Sequence, residues 1–516
     1  MMNKVIWALT LLGTFAHLSY GDNPKVQHNP LQIGALTEMG VVDKGVYNAS
    51  LGPKGAEEVN GEWIDHFAVF LNSESVVNDR LHVSAGLGGV FQFRKPEMPG
   101  LGFSASQRKG FFIGPSRTEA VYHFGDLDQP WLKIGMGMFP YKYNPEAANL
   151  GEYLFRSTAY PTTLSTGGYV VVGSAGAQLQ GFKSNIQIGN LKADLFLTTE
   201  TAIAPLYDWS LAGIMDYNLG DGLLHLGAGV NCQHLLQVRP GRTAPRYNEN
   251  SYFKYNEVYY SGSKEFYDFK SSFSKKLADT LAKKTFTIKA DSIANAQRIL
   301  ALRNLASHLD SSRVLVDSLL NDSLAKPKLG IKYFSASGVV VMGRATLDLK
   351  KLWSSEILGP DDLKLFGEVN LLGTHNYPIF YENRSDRVST MLGFNFPGFR
   401  IFDLISLQVE YFKSPGLNNF YQRSNTSGGN IPIIPRDDDT VLSKNNYNDA
   451  ADKDNFKWSV LLKKTFMKKL TFSSQLASDH LRLTNSSYYF GPQYDFNEIT
   501  AFKDHWYWIS QISWGI

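Results

Sequence analysis

The sequence predicts an all-β fold, an antiparallel transmembrane β-barrel of about 16 strands, with 14 or 18 strands as the alternatives. Segments that alternate apolar and polar residues recur through the chain, as they do in strands with one apolar face. The connections between these segments are short and long in turn, which is typical of outer-membrane barrels and not of a large sandwich. A 13% aromatic content and 45 glycines favour strands and tight turns over helices.

The N-terminal stretch predicts a secretory signal peptide over residues 1–21, which leaves 22–516 for the barrel. It reads MMNKVIWALTLLGTFAHLSYG, with Lys4 before an apolar run that ends near Leu18, then the small residues Ser19 and Gly21, which matches the three regions of such a peptide. The alternative, an uncleaved anchor helix, needs about 20 apolar residues. No later stretch is apolar enough for a spanning helix, so only a closed barrel could cross a membrane.

Composition excludes several classes of function. The net charge of +3 over 516 residues gives no electrostatic reason to expect nucleic acid as a partner. A single cysteine, Cys232, excludes an intramolecular disulfide framework and a cysteine zinc site. The apolar fraction of 43% and the mean hydropathy of −0.21 are values typical of a soluble protein. A membrane barrel gives similar averages, because its strands alternate apolar and polar residues.

Alternation is clearest in the segments RTEAVYHF, KLFGEVNL and DLISLQVEYF, where apolar residues at every second position face charged or polar ones. The same pattern predicts strands near 31–41, 64–72, 80–94, 117–125, 131–139, 171–182, 185–198, 208–217, 223–237, 329–349, 362–372, 387–396, 402–413, 456–466, 470–482 and 503–516.

Short connections include GDLDQ, KSN, LGDG, PGFR and MKK, and long ones follow the strands that end near 94, 139, 237, 413 and 482. An even strand number with both termini periplasmic requires the strand near 31–41, followed by a long first loop through about Trp63. The short connections are then periplasmic and the long ones extracellular.

The longest connection, residues 239–328, predicts two or three amphipathic helices in an extracellular loop, over or beside the barrel mouth. Its apolar residues recur three and four positions apart, as Ile293, Ala296, Ile299 and Leu300 do, which is the helical period. A second long loop, about 414–455, is rich in Asn, Asp, Ser and Gly and is expected to be solvated.

No enzyme motif is present: the chain has no HExxH, GxSxG, GxxxxGK[ST] or cysteine–histidine pair. We therefore predict that the protein is not an enzyme, with no catalytic residue and no cofactor. The acidic groups at 437–439 and 448–454 could offer oxygens to calcium, but they lack the spacing of a calcium loop with its terminal Glu, so no metal site is predicted.

Charged residues lie on the polar faces of the predicted strands. In a barrel they point into the lumen, where charges of mixed sign orient small polar solutes. Ion pairs that only brace the wall are an equal alternative for any one of them. These residues are Arg117, Glu119, Lys133, Lys192, Asp194, Arg344, Asp348, Lys364, Glu368 and Glu410.

The segment LKIGMGMFPYKYNPEAANLGEYLFRSTAYP ends a strand at Phe139, breaks it at Pro140 and continues with residues rich in Tyr, Arg, Lys and Asn. It resembles the Gram-negative outer-membrane porins of the phosphate-selective and related substrate-specific type, in which such a loop folds into the lumen and narrows it. An ordinary surface loop is the alternative. The resemblance implies constriction candidates that can stack on or hydrogen-bond a polar solute: Tyr141, Lys142, Tyr143, Glu146, Tyr153, Arg156 and Tyr160.

We therefore expect a porin-like channel in the cell outer membrane that passes small hydrophilic solutes. The alternative is a surface receptor or adhesion barrel with a blocked lumen, which binds its partner through the helical insertion and long loops. The expected partners are outer-membrane lipid and, by the resemblance, two further copies in a homotrimer. The last strand, with Trp506, Trp508 and Trp514 on one face, resembles the signal read by the outer-membrane assembly machinery, although it ends in Ile516 instead of the usual Phe or Trp.

Overall fold

The computed structural model of the protein describes residues 25–47, 57–94, 110–148, 150–155, 177–199, 208–236, 238, 251–256, 258–261, 264–283, 289–328, 332–333, 338–352, 356–374, 384–412, 456–479, 481, 484–487, 491–494, 500 and 504–515. The predicted signal peptide, the acidic groups of the 414–455 loop, Arg156 and Tyr160 lie outside these residues.

Sixteen antiparallel strands form a closed barrel, as the sequence predicted. Each strand pairs with its neighbours in chain order, and the last pairs with the first, where Trp514 lies opposite Ala35 and Trp508 opposite Val41. The strands are β2 (Gln32–Tyr47), β3 (Glu57–Val77), β4 (Leu81–Arg94), β5 (Gly110–Gly125), β6 (Pro130–Tyr141), β7 (Ala177–Ile188), β8 (Leu191–Thr199), β9 (Trp209–Leu219), β10 (Leu224–Leu236), β14 (Gly338–Asp348), β15 (Lys364–Leu371), β16 (Val388–Phe396), β17 (Leu404–Phe412), β18 (Phe456–Phe466), β19 (Leu470–Ser478) and β22 (Trp506–Gly515). A short strand β1 (Val26–His28) pairs with the end of β3.

The two faces of the barrel differ as the alternation predicted. Within β17, Ser406, Gln408 and Glu410 are buried inside, whereas the side chains between them face outward. The outward face exposes large apolar side chains around the ring, among them Trp63, Ile113, Trp131, Met215, Val369, Leu392, Phe472 and Trp514.

Connections of the two kinds lie at opposite ends of the barrel. We call the end with turns 78–80, 126–129, 189–190, 220–223, 349–363, 397–403 and 467–469 the short-turn end, and the other the long-loop end. The predicted turn KSN is wrong, because β7 continues to Ile188 and the chain turns at Gly189, whose φ of +56° suits a two-residue hairpin turn. The first long loop is also shorter than predicted, since Glu57 already pairs with Tyr47.

Between β10 and β14 the chain forms a separate helical insertion. It contains α1 (Lys264–Ala282), α2 (Lys289–Asn321) and a sheet of β11 (Ser251–Tyr255), β12 (Val258–Ser261) and β13 (Lys332–Tyr333). The sequence predicted the helices and missed this sheet, so the strand predicted at 329–349 is in fact two. Neither described helix is long and apolar enough to cross a membrane. A hairpin of β20 (Thr484–Ser487) and β21 (Gly491–Tyr494) lies in the last long connection.

Candidate functional site: the barrel interior

After β6 the chain turns into the barrel. We call residues 142–148 and 150–155 the inner segment. Most of its residues are buried, and its hydrogen bonds reach β15 and β17. In the ring, β17 lies opposite β6, with equally many strands between them in either direction. The inner segment therefore crosses the lumen from one wall to the other.

Glu368 of β15 is the main anchor of the inner segment. Its Oε1 accepts the Tyr143 hydroxyl at 2.5 Å and the Tyr153 N–H at 3.0 Å. Its Oε2 accepts the Glu152 N–H at 3.0 Å and the Asn144 Nδ2 at 3.1 Å. A buried carboxylate is stable only when such donors replace water, so Glu368 and the inner segment hold each other in place.

Gln408 and Lys364 form a second set of anchors. The Gln408 Oε1 accepts the backbone N–H groups of Ala148 and Leu150 at 3.3 and 3.4 Å, and its Nε2 donates to the Glu146 carbonyl at 3.1 Å. The Lys364 Nζ lies 3.0 Å from the Glu146 Oε1. Both backbone and side-chain groups of the inner segment are thus fixed on the far wall.

Apolar packing seals one side of the inner segment against the wall from β6 round to β17. The buried cluster contains Phe139, Tyr143, Leu150, Tyr153, Leu154, Phe196, Ile214, Met342, Phe366 and Met391. At Gly229 a Cβ would lie 2.9 Å from the Leu154 Cδ2, so a larger residue there would require the Leu154 side chain to shift. Asn231 also donates to the Leu154 carbonyl at 2.9 Å. Packed side chains therefore fill this side of the inner segment.

Several residues predicted to line the pore lie in or beside this anchored region. Tyr153, Glu368 and Glu410 are buried, and the Tyr153 hydroxyl donates to the Glu410 Oε2 at 2.8 Å. Arg344 lies opposite Glu368 in the sheet and bonds Asp216 at 2.6 Å. The structure therefore gives these residues partners that hold the wall and the inner segment.

Arg117 and Glu119 of β5 lie in a second group. The Glu119 carboxylate is buried between Arg117 and the Lys183 Nζ, the latter at 2.5 Å, and Lys183 stands 4.5 Å from the centre of the Phe139 ring. The Arg117 side chain is 47% exposed and reaches open space. Sequence reasoning missed Lys183 because it placed this residue in a turn; its position opposite Gly135 is a strand position.

Two of the other predicted residues are less enclosed. Lys133 of β6 and Lys142 at the start of the inner segment are half-buried. Tyr141, at the end of β6, donates to the Asp194 Oδ2 at 2.5 Å, and Lys192 lies 3.1 Å from the same oxygen.

The wall formed by β18, β19, β22 and β2 to β5 presents a mixture of side chains inward, with Leu36, Phe70 and Tyr507 buried among smaller and polar ones. Ser84, Ser116, Ser459 and Gln475 lie there, and the Gln475 Nε2 donates to the Ser459 Oγ at 2.9 Å.

A buried aspartate–histidine pair escaped sequence reasoning. His234 Nδ1 lies 3.3 Å from the Asp208 Oδ2, and both side chains are almost fully buried. The nearby Ser210 hydroxyl accepts the backbone N–H of His234 at 3.0 Å, where β10 bulges and His234 has a φ of +49°. The three residues thus stabilise a bulge. Within the described residues, no group of three or more His, Cys, Asp or Glu side chains is arranged to hold a metal ion.

Comparison with known proteins finds a likeness in structure alone. No protein-family model and no curated protein matches the chain. A triple mutant of Rhodopseudomonas blastica porin is 7% identical, with 94% of this chain and 100% of that chain covered and a TM-score of 0.38. Pseudomonas putida OprB is 8% identical, with 95% of this chain and 94% of that chain covered and a TM-score of 0.41. Likeness at this level carries no argument about function, and the porin-like fold of the chain rests on its own closed ring of sixteen strands.

Proposed function

We propose that the protein spans an outer membrane and lets small hydrophilic solutes diffuse through its lumen. The observation that carries this proposal is the inner segment, pinned across a closed barrel by Glu368 and Gln408. A segment fixed in this way narrows the lumen without needing a moving part. The apolar outward face supports the membrane location, because such a face suits contact with lipid. The closed barrel supports it too, because backbone groups in a membrane must be paired within the protein.

In this proposal the solute passes on the side of the inner segment away from the sealed wall. The small and polar side chains of β18, β19 and β2 to β5 line that passage, and Arg117, which is half-exposed, contributes a positive charge to it. Lys133, Lys142 and Arg156 are candidates for the same role. Charges of both signs across the passage would orient a polar solute.

Single-channel recording in a planar bilayer tests the proposal. We expect stable, ohmic conductance from the full-length mature chain, since an anchored segment does not gate. Absence of conductance would overturn the channel, and a chain that stays in solution without detergent would overturn the membrane location as well.

A receptor or adhesion barrel is the second candidate, favoured by the helical insertion. The insertion has its own core of Phe253, Tyr267, Leu309, Val316 and Leu319, as a binding domain would. It enters and leaves at paired residues, Ser251 opposite Tyr333, so 252–332 can be replaced by a two-residue glycine linker. For the channel we expect unchanged conductance after this deletion; conductance that appears only after deletion would favour a blocked lumen.

A further inference from the structure

The short-turn end of the barrel has two chemically different halves. We call the turns 78–80, 126–129, 189–190 and 220–223 the acidic half-rim, because Asp79, Asp126, Asp128 and Asp221 lie in them. We call the turns 349–363, 397–403 and 467–469, with the adjoining strand ends, the basic half-rim. It carries seven cations, against the four carboxylates of Glu356, Asp361, Asp362 and Asp403 in the same turns. The cations are Lys350, Lys351, Arg400, Lys463, Lys464, Lys468 and Lys469.

Five cations of the basic half-rim are exposed. Lys350 and Lys464 have carboxylate partners, Asp348 at 3.5 Å and Asp403 at 3.2 Å. In contrast, Lys351, Arg400, Lys463, Lys468 and Lys469 are exposed, and within the described part of the chain no carboxylate lies in ion-pair range of them. Positive charge is therefore available to an external anion.

The same turns expose apolar side chains to an unusual degree. Met467 is 93% exposed, Ile401 69%, Ile357 65% and Phe399 52%. They continue the apolar outward face, which ends nearby in the exposed side chains of Phe396 and Phe466. A patch of this composition favours an environment that is apolar on one side and anionic on the other.

The turn conformations add an independent observation. Phe399 and Arg400 have φ values of 50° and 59°, and Met467 and Lys468 have 51° and 59°. Such positions in hairpin turns usually hold Gly, Asn or Asp, as the acidic half-rim does with Asn78 and Asp79. Left-handed backbone is unfavourable for bulky residues, and such strain persists mainly where it serves a function.

The basic half-rim is also held rigidly. The buried Asp362 carboxylate accepts the backbone N–H groups of Gly359 at 2.8 Å, Gly398 at 3.0 Å and Phe399 at 3.3 Å. This carboxylate joins the backbone of residues 356–363 to that of the turn 397–403.

We infer that the basic half-rim binds the headgroups of anionic phospholipids in the leaflet that borders the short-turn end. This inference rests on the membrane location given under the proposed function. Apolar tips such as Phe399 and Met467 would enter the acyl-chain boundary, while Arg400 and Lys468 beside them meet phosphate oxygens. The acidic half-rim repels the same headgroups, so bound anionic lipid is confined to one side of the barrel.

The test uses the full mature chain in vesicles that contain brominated phosphatidylglycerol or brominated phosphatidylcholine, with quenching of tryptophan fluorescence as the readout. The variant replaces Lys351, Arg400, Lys468 and Lys469 by Gln. The matched control replaces Asp79, Asp126, Asp128 and Asp221 by Asn. We expect the preference for phosphatidylglycerol to fall at least about fivefold in the Gln variant, which is the effect of a single cation near an anionic surface, and to persist in the Asn control.

Two further measurements need no charge variant. The preference of the unmodified chain should decline with added salt, because exposed charges are screened. Trp514, opposite Leu470, lies at the basic half-rim and Trp131 at the acidic one, so Trp514→Phe should remove more of the phosphatidylglycerol-specific quenching than Trp131→Phe.

An undiminished preference in the Gln variant, or one insensitive to salt, would overturn the inference. So would a chain with equal quenching by both lipids, in which case an acidic protein is the better partner for this surface. Conductance of the same samples separates the two proposals: a conducting barrel without lipid preference refutes only the lipid site, and a chain that neither lipid quenches refutes the membrane location.

Discussion

The inner segment and the helical insertion are both long connections at the same end of the barrel, yet they are stabilised in opposite ways. The inner segment depends on buried polar groups of the wall, above all Glu368 and Gln408. The helical insertion has its own apolar core and carries its ion pairs on the surface, such as Lys275–Asp310 at 2.8 Å and Arg313–Asp268 at 2.9 Å.

This difference shows how one barrel fixes two kinds of connection. A buried polar anchor has a definite geometry, and losing one partner leaves the other unsatisfied. Apolar burial is not directional, so the insertion can fold on itself without a specified contact to the wall. Changes at the anchors should therefore alter the channel, whereas changes in the insertion should leave conductance intact.

Glu368→Ala should have the largest effect. It leaves four donors of the inner segment without their acceptor, and each buried donor left unsatisfied costs about 1–3 kcal/mol. We expect larger and noisier single-channel currents as the inner segment leaves its place. Glu74→Ala is the control, since Glu74 is a carboxylate on β3 that bonds Asn29 and His82. Currents from Glu368→Ala that match those of the unmodified chain would refute the anchor.

Leu309→Ala should weaken the helical insertion by about 2–4 kcal/mol, because Leu309 is buried in its core. Proteolysis within residues 264–321 should then be faster, at unchanged conductance. Leu300→Ala is the matched control, since Leu300 is exposed on the same helix and such substitutions change stability by about 0.5 kcal/mol or less. A change of conductance in Leu309→Ala would contradict the independence of the two regions.

Arg117→Gln should have a moderate effect on selectivity with little effect on stability. It removes a half-exposed positive charge from the lumen, while Lys183 still pairs with Glu119. The reversal potential in a salt gradient should shift toward cation preference. Arg298→Gln is the control, because it removes one positive charge from the exposed surface of α2 and should leave the reversal potential unchanged. An equal shift of the reversal potential in both variants would show that the shift does not come from a charge in the lumen.

The smallest effect is expected at Asp310 of the insertion. Hydrogen bonds from Lys275 and Ser271 lower the pKa of its carboxyl. A lowered folded pKa gives stability that is present above the unfolded value, about 3.9, and is lost as the pH falls through the folded pKa. Because the pair is exposed, Asp310→Asn should cost less than about 1 kcal/mol. Protection of the insertion from proteolysis should decline in acid in the unmodified chain, and it should decline less in the variant. If protection depends on pH identically in the two chains, a group other than Asp310 causes the dependence.

Periodicity was sufficient to predict the barrel, because every second residue of a wall strand must face one of two different environments. It could not separate Glu368 from Arg117, since an anchor and an exposed lumen charge occupy the same polar face. The partners of Glu368 in the inner segment lie far away in the chain, from Tyr143 to Tyr153, and no local pattern encodes that approach. The prediction missed the two-residue turn at Gly189 and the two-residue strand Lys332–Tyr333 for a different reason, because elements of this length are too short to show a period.

The pairing of β2 with β22 has a consequence for assembly. All other neighbours in the ring are consecutive strands of the barrel wall, so they can form as the chain elongates, one hairpin after another. The seam joins residues from opposite ends of the chain, as in the bond from Gln511 to Glu38 at 3.2 Å. Until it forms, β2 and β22 each present an unpaired edge, which invites association with other chains. The polar contacts across the seam thus help β2 and β22 to find each other in the correct register before another chain can bind either edge.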